Sequence, residues 1–337
     1  MQTNQPAVVA QAPCRADLAG GTLDLWPLYL FHPGALTVNF ALTVLTTCRI
    51  SPRRGRAIHL RSLDTGAEER FANIQELCRA SSYRHPIGAY LVRYFRPDGG
   101  FVLETHSESP AGAGISGSSA LMIATTAALA RFTGRKLGRE PMRVLAQNVE
   151  AQIIKVPTGC QDYYPALYGG VSCVYLNPEG VHREAIAVPP DEMGKRFLLV
   201  YTGAPRKSGI NNWEVFCRHI AGDRKVVRNF ESISQIAQHM RKALAAADWS
   251  ETARLLREEW QLRRSNYQGI STPYIEKLVR VGANNGSVAA KVCGAGGGGC
   301  VLFMVEPQAR ERVKTALAKA GATLLDCKMA TKGLRVS

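Results

Sequence analysis

The run Pro110-Ala111-Gly112-Ala113-Gly114-Ile115-Ser116-Gly117-Ser118-Ser119 carries the clearest chemistry in the chain. Small residues let backbone N–H groups approach a ligand closely. The start of a following helix adds free donors at the positive end of its dipole. Together they suit a di- or triphosphate, with the Ser118 and Ser119 hydroxyls able to reach phosphate or a phosphate-bound Mg²⁺. Composition alone also allows a plain capped helix after a flexible turn. Gly112 to Gly117 has P-loop spacing, but Ser118-Ser119 stands where that motif needs Lys. A second run, Lys291-Val292-Cys293-Gly294-Ala295-Gly296-Gly297-Gly298-Gly299, formally matches a dinucleotide fingerprint at Gly294, Gly296 and Gly299. An apolar strand follows it rather than a helix, so that reading fails. Consecutive glycines are costly to order, which points to a backbone that must approach the first loop or its ligand.

The elements that must position these loops follow from patterning. Val, Thr and Leu enrichment predicts strands over 8–18, 35–50 and 57–63, with a further short strand over 101–105. Helical spacing covers 73–95, a small-residue helix 117–132, and a third helix 140–154. Gly169-Gly170 turns the chain into a strand over 171–176. Pro189-Pro190 marks a boundary, because two prolines end regular structure. Beyond it come a strand over 196–202, mostly helix over 212–266, and a helix over 274–284. Strands over 287–292 and 300–305 flank the glycine run. A helix over 308–320 and a last strand over 323–329 finish the chain. Strict βαβ alternation is absent, which predicts an α+β fold. The expected division is 1–190, with the first loop, and 191–337, with the glycine run.

Bulk properties bound the partners. The 337 residues hold 42 Lys and Arg against 27 Asp and Glu, a formal charge of +15. Normal apolar content excludes disorder for the bulk of the chain. No apolar stretch reaches the ~18–20 residues of a membrane span. The charge admits nucleic acid, membrane surfaces or anionic metabolites. The basic clusters Arg53-Arg54-Gly55-Arg56, 254–264 and 310–314 lack the interleaved aromatics of a single-strand platform. Neither a nucleic-acid nor a membrane partner is therefore expected. Nine cysteines without a C-x-x-C fit neither a zinc site nor a disulfide framework. They read as reduced, buried thiols, and no signal-peptide pattern opens the sequence, so a cytoplasmic location is expected.

Three segments in order resemble the three motifs of the GHMP kinase superfamily (galactokinase, homoserine kinase, mevalonate kinase and phosphomevalonate kinase). They are Ala12-Pro13-Cys14-Arg15 with Gly20-Gly21-Thr22-Leu23-Asp24, then residues 110–120, then residues 291–299. The resemblance spans almost the whole chain. It implies a two-domain GHMP kinase fold: an N-terminal domain of the ribosomal S5 domain 2-like type and a ferredoxin-like C-terminal domain. It further implies ATP and Mg²⁺ in the cleft between them. Pro110, Gly112, Ala113, Gly114, Ser116, Gly117, Ser118 and Ser119 would wrap the nucleotide phosphates, with Gly296 and Gly297 from the third motif beside them. Ser119 matches the Mg²⁺-associated serine. Residues 157–170, Pro157-Thr158-Gly159-Cys160-Gln161-Asp162-Tyr163-Tyr164 and onward, are similar to a segment of D-glycero-D-manno-heptose 7-phosphate kinases. So are Tyr201-Thr202-Gly203 with Arg206 and Ser208. Departures are Cys14 for the usual Gly and Leu23 inserted before Asp24. The Gly-Glu-His signature of galactokinases is absent.

The resemblance implies an ATP-dependent kinase acting on a hydroxyl of a sugar or sugar phosphate, as monomer or homodimer. A mevalonate-type kinase and a non-catalytic sensor of the same fold are the alternatives. Asp162 would be the general base, although composition equally allows a helix cap. Arg15 would steady that carboxylate or the migrating phosphoryl group. Glu150 would ligate Mg²⁺, by analogy with mevalonate kinases, or else be a solvated helical Glu. Asp24, with Gly21 and Thr22, would bind acceptor hydroxyls, since a carboxylate accepts from two at once; a turn-stabilising Asp is the alternative. Thr202 and Arg206 would add acceptor contacts, Arg206 suiting a phosphate.

Overall fold

The computed structural model describes residues 6–205 and 210–337. Its first part is built on a long mixed sheet. Strand β1 (Val8–Ala19) lies along β2 (Leu36–Arg53), which is 18 residues long. That length gives β2 two further partners. Its residues 46–53 pair with β5 (Gly100–Ser107), and its residues 36–40 pair with β6 (Val171–Asn177). Outward from β5 come β3 (Ile58–Ser62), parallel to it, and the polar edge strand β4 (Glu68–Phe71). Strand β7 (Gly180–Ile186) hangs on β6. Buried residues alternate with half-buried or exposed ones along β2 from Leu42 to Ile50, as a sheet with one packed face requires.

Helices α1 (Ile74–Arg79), α2 (Pro86–Phe95), α3 (Gly117–Phe132), α4 (Arg139–Ile154) and α5 (Tyr163–Tyr168) belong to this part. The small residues of α3 bury it from 119 to 130, and it packs on β1 and β2. A helix apolar all round is a core helix. The helix expected over 73–95 is two helices. Residues 80–85 break it, because Pro86 can only start a helix and His85 caps it by accepting from the Gly88 N–H.

The chain then enters α6 (Pro190–Arg196), with Pro190 at its first turn, and β8 (Phe197–Tyr201). Helices α7 (Ile210–Ile220), α8 (Arg224–Ala245), α9 (Trp249–Asn266) and α10 (Pro273–Asn284) follow. Strands β9 (Ser287–Val292) and β10 (Cys300–Val305) flank the glycine run. Helix α11 (Arg310–Lys319) and β11 (Thr323–Leu325) complete a second sheet in the antiparallel order β11-β8-β10-β9. With the intervening helices this is the split arrangement of ferredoxin-like domains. Strand β10, Cys-Val-Leu-Phe-Met-Val, is buried at every position. The last strand is shorter than expected, and a further strand β12 (Arg335–Val336) returns to pair with β1. The fold is α+β. Among the described residues no helix is long and apolar enough to cross a membrane.

Candidate active site

A cleft of about 300 Å³ opens where β1, the start of α3, α5 and the glycine run converge. Bulges in the β1–β2 ladder flank Arg15 and Asp17, and such irregularities re-aim side chains at a site. Arg15 is buried and faces three ways. Its Nε and Nη2 lie 2.8 and 2.6 Å from Asp162 Oδ1, its Nη1 donates to Gly114 O at 2.9 Å, and the same nitrogen is 3.5 Å from Asp17 Oδ1. One guanidinium therefore joins the first glycine loop to Asp162. Asp162 stands at the N-cap of α5, but its side chain makes no capping bond. Its carboxylate is partly open to the cleft instead, with 23% of the side chain exposed.

The phosphate loop fits an anion. Ser116, immediately before α3, has φ +63° and no side-chain capping bond, and its buried Oγ has no partner. The first N–H groups of α3 are thus left for a ligand. Gly112 and Gly114 supply positive φ, and Pro110, Ala113, Gly117, Ser118 and Ser119 also line the cleft. Behind them Glu150 is buried. Its Oε1 accepts from Ser118 Oγ at 2.6 Å, and its Oε2 accepts from Ser119 Oγ at 2.9 Å and Tyr163 Oη at 2.6 Å. Burial raises the Glu150 carboxyl above its ordinary range against those three donors.

The third motif meets the second at Gly299. Cys300 N donates to Ala113 O at 2.7 Å. Gly299 has φ +76°, and a Cβ there would lie 2.6 Å from Ala113 O. Gly294 and Ala295, rather than Gly296 and Gly297, reach the cleft wall. Gly297 N donates to Ile270 O, and Gly296 packs on the same residue, so both are held on the far side. Gly299→Ala should press the two loops apart. The expected result is a rise of about tenfold in the KM for ATP with a loss of about 1–3 kcal/mol in stability, read by steady-state kinetics and thermal melting.

Asp24, at another wall of the cleft, is buried. Its Oδ2 accepts from Gln161 N at 2.9 Å, and Oδ1 lies 3.4 Å from Gln161 Nε2. Gly159 must be glycine here, since a Cβ would fall 2.0 Å from Asp24 Oδ2. Burial, reinforced by Asp162, pushes the Asp24 carboxyl up to about 6 against the Gln161 N–H. Gly21 and Thr22 line the same wall. Thr202 lies apart from it, its N–H on Gly299 O and its hydroxyl 3.4 Å from Ala204 O. Arg206 falls outside the described residues. If ionised Asp24 binds acceptor hydroxyls, kcat/KM for the acceptor should fall about tenfold per pH unit below roughly pH 6. An Asp24→Asn variant should lack that limb, as a pH profile would read.

Beneath the cleft lies a charge network that motif spacing does not announce. Lys291 Nζ sits 2.7 Å from Asp17 Oδ2 and 3.2 Å from Glu259 Oε2, all three groups being buried. Asp17 Oδ1 also accepts from Gly294 N at 3.1 Å. Arg263 of α9 donates from Nε to Glu259 Oε1 at 2.9 Å, and its Nη2 approaches Asp17 to 4.0 Å. Burial alone would raise the Asp17 carboxyl. Lys291, Arg15 and Arg263 win and hold it well below the usual carboxylate range. Asp17, Arg263 and Gly294 reach the cleft surface. Among the described residues, no group of three His, Cys, Asp or Glu side chains is arranged to hold a metal.

A loop fitted to an anion beside an open carboxylate suits phosphoryl transfer. The family model for the N-terminal domain of GHMP kinases matches residues 84–170, and that for their C-terminal domain matches residues 240–323; the chain belongs to the GHMP kinases. Kinases of this family use ATP. The chain is 25% identical over 336 residues to the D-glycero-alpha-D-manno-heptose 7-phosphate kinase of Campylobacter jejuni, covering 96% of this chain and 97% of that one. It is 26% identical over 252 residues to a mevalonate kinase of Thermococcus onnurineus, covering 70% and 69%. Its fold matches the crystal structure of a D-glycero-D-manno-heptose 1-phosphate kinase from Bacteroides thetaiotaomicron with a TM-score of 0.80, at 22% identity over 98% of both chains.

Proposed function

We propose that this kinase transfers the γ-phosphoryl group of ATP to a hydroxyl of a sugar phosphate, a heptose 7-phosphate being the acceptor that its similarities favour. The single observation behind the site assignment is Arg15, whose guanidinium bridges the phosphate loop at Gly114 and the Asp162 carboxylate. That bridge supports the reading of Asp162 as a base beside the phosphates.

In this reading residues 110–119 hold the triphosphate through backbone N–H groups and the helix start. Asp24 and the Gly21-Thr22 backbone orient the acceptor. Asp162 takes the proton of the attacked hydroxyl, whose oxygen then forms the new bond to phosphorus as the bond to the ADP oxygen breaks. Arg15 stabilises the negative charge that spreads over the transferring group. Ser119 and Glu150 would hold Mg²⁺, whose hard oxygen preference they match, leaving its other positions to phosphates and water. Bound there, the ion would neutralise phosphate charge. Residues 1–190 and 191–337 form the two domains of this reading.

The residue similarity over nearly the full length of the Campylobacter jejuni enzyme supports the acceptor assignment. An acceptor screen tests it. Purified protein with ATP and Mg²⁺ should form ADP with D-glycero-D-manno-heptose 7-phosphate and not with mevalonate. Turnover of mevalonate alone would overturn the sugar reading.

A further inference from the structure

Thr22 has a backbone that its side chain does not favour. It is β-branched, yet its φ is +74°. Such residues adopt the left-handed region only where their surroundings over-determine it. Two side chains from the second half of the chain do so here. The Thr22 hydroxyl accepts from Arg263 Nη1 at 3.2 Å and donates to Asn212 Oδ1 at 3.2 Å. Arg263 Nη2 also donates to Gly21 O at 2.9 Å. Gly20 is pinned on the other side, since a Cβ there would lie 2.1 Å from Leu36 O.

Arg263 is itself fixed. Glu259 Oε1 accepts from both its Nε and its Nη2, and both residues are buried. Its fork is aimed by one helix turn of α9 and does not swing freely. The turn it holds is short: Leu23 N donates to Gly20 O and Leu25 N to Thr22 O, and Asp24 lies between them. The conformation at Thr22 thus sets where the Asp24 carboxyl points.

We propose that Arg263 is a positioning residue for the acceptor. It acts through Thr22, holding the 20–25 turn in the strained form that presents Asp24 to the cleft. This rests on the reading of Asp24 as an acceptor ligand. A direct contact between Arg263 and an acceptor phosphate would be a different role, and the test separates the two.

Arg263→Gln and Arg263→Lys are compared with the unaltered enzyme, each alone and with Thr22→Gly. ATP and D-glycero-D-manno-heptose 7-phosphate are the substrates. Arg263→Gln should raise the acceptor KM by about tenfold, the scale of a lost charge-assisted hydrogen bond, and leave the KM for ATP within about twofold. Arg263→Lys keeps a cation beside Asp17 and Glu259, so it preserves the charge balance and should fold. It cannot span Gly21 O and Thr22 Oγ together and should lose an intermediate amount. Glycine takes positive φ freely, so adding Thr22→Gly to Arg263→Gln should recover about threefold or more of the loss. Equal losses on both substrates, or no recovery by Thr22→Gly, would overturn the proposal. Hydrogen exchange without any acceptor keeps the test independent of the substrate. The Leu23 and Leu25 amides should exchange at least about fivefold faster in Arg263→Lys. If the unaltered enzyme ignores the heptose phosphate while these amides respond, only the substrate reading fails. If the amides do not respond, the role of Arg263 fails.

Discussion

Asp162→Asn is expected to lower kcat by at least ~10²-fold while leaving the protein folded. The amide cannot take a proton from the acceptor hydroxyl at any accessible pH. It keeps the shape of the carboxylate, so Arg15 loses charge compensation but not packing. Arg15 retains the Gly114 carbonyl and the Asp17 carboxylate, both within 3.5 Å. The Asp162 side chain is 23% exposed and makes no capping bond to α5, so no helix end depends on it. The KM for ATP should change little, because in this reading the loop binds the phosphates through backbone N–H groups rather than through Asp162. Turnover and thermal melting on the same preparation decide the matter. A folded variant with near-normal kcat would remove Asp162 from the proton-transfer step.

Asp17→Asn should have the largest effect on stability, about 3–5 kcal/mol, the usual result of deleting one partner from a buried ion pair. Asp17 is the only carboxylate that meets Arg15, Arg263 and Lys291 together among the described residues. Its loss leaves Lys291, fully buried, with Glu259 as its one remaining carboxylate among the described residues, beside the Leu18 carbonyl at 3.5 Å. Urea unfolding would read the difference. Adding Lys291→Met should return part of it, since the uncompensated ammonium goes too, and the two changes should be strongly non-additive. A cost below about 1 kcal/mol for Asp17→Asn would show that the network is not what holds β1 to the glycine run. The pH dependence has a fixed sign. A carboxyl depressed in the folded state contributes fully above its unfolded pKa, about 3.9, and loses that contribution as pH falls below it. The unaltered protein should therefore lose stability below roughly pH 4 more steeply than Asp17→Asn does.

Residues that act through contiguous sequence are legible in the order of amino acids alone. The phosphate loop shows itself because small residues, a strand and a helix start follow one another directly. Asp162 and Asp24 stand out only through their motif neighbours. Arg263 sits among other charged residues on α9, in a stretch that reads as one basic cluster. What distinguishes it is burial against Glu259, and burial depends on what packs across from the helix. Asp17 and Lys291 pair over a separation of 274 residues, which no spacing can reveal. The same limit applies to the elements. Strands β4 and β7 are half polar and sit at or beside the rim of the sheet, so they lack an apolar alternation. Strand β12 is two residues long and exists because β1 offers it an edge.

The fork of contacts at Asp17 also bears on how new acceptor preferences could be selected in this scaffold. A change at Asp17 disturbs the glycine run through Gly294, Asp162 through Arg15, and the 20–25 turn through Arg263, all at once. Few variants at such a position can be neutral, and it should resist drift. Gly159 is equally closed, because it abuts Asp24. Tyr29 is not bound into this charge network, and its ring is only half buried. Trp26, Leu30 and Phe31 are exposed, and past Leu25 no residue up to Leu36 lines the cleft, so this stretch can vary without touching the network, whereas changes in acceptor choice fall to the cleft wall itself.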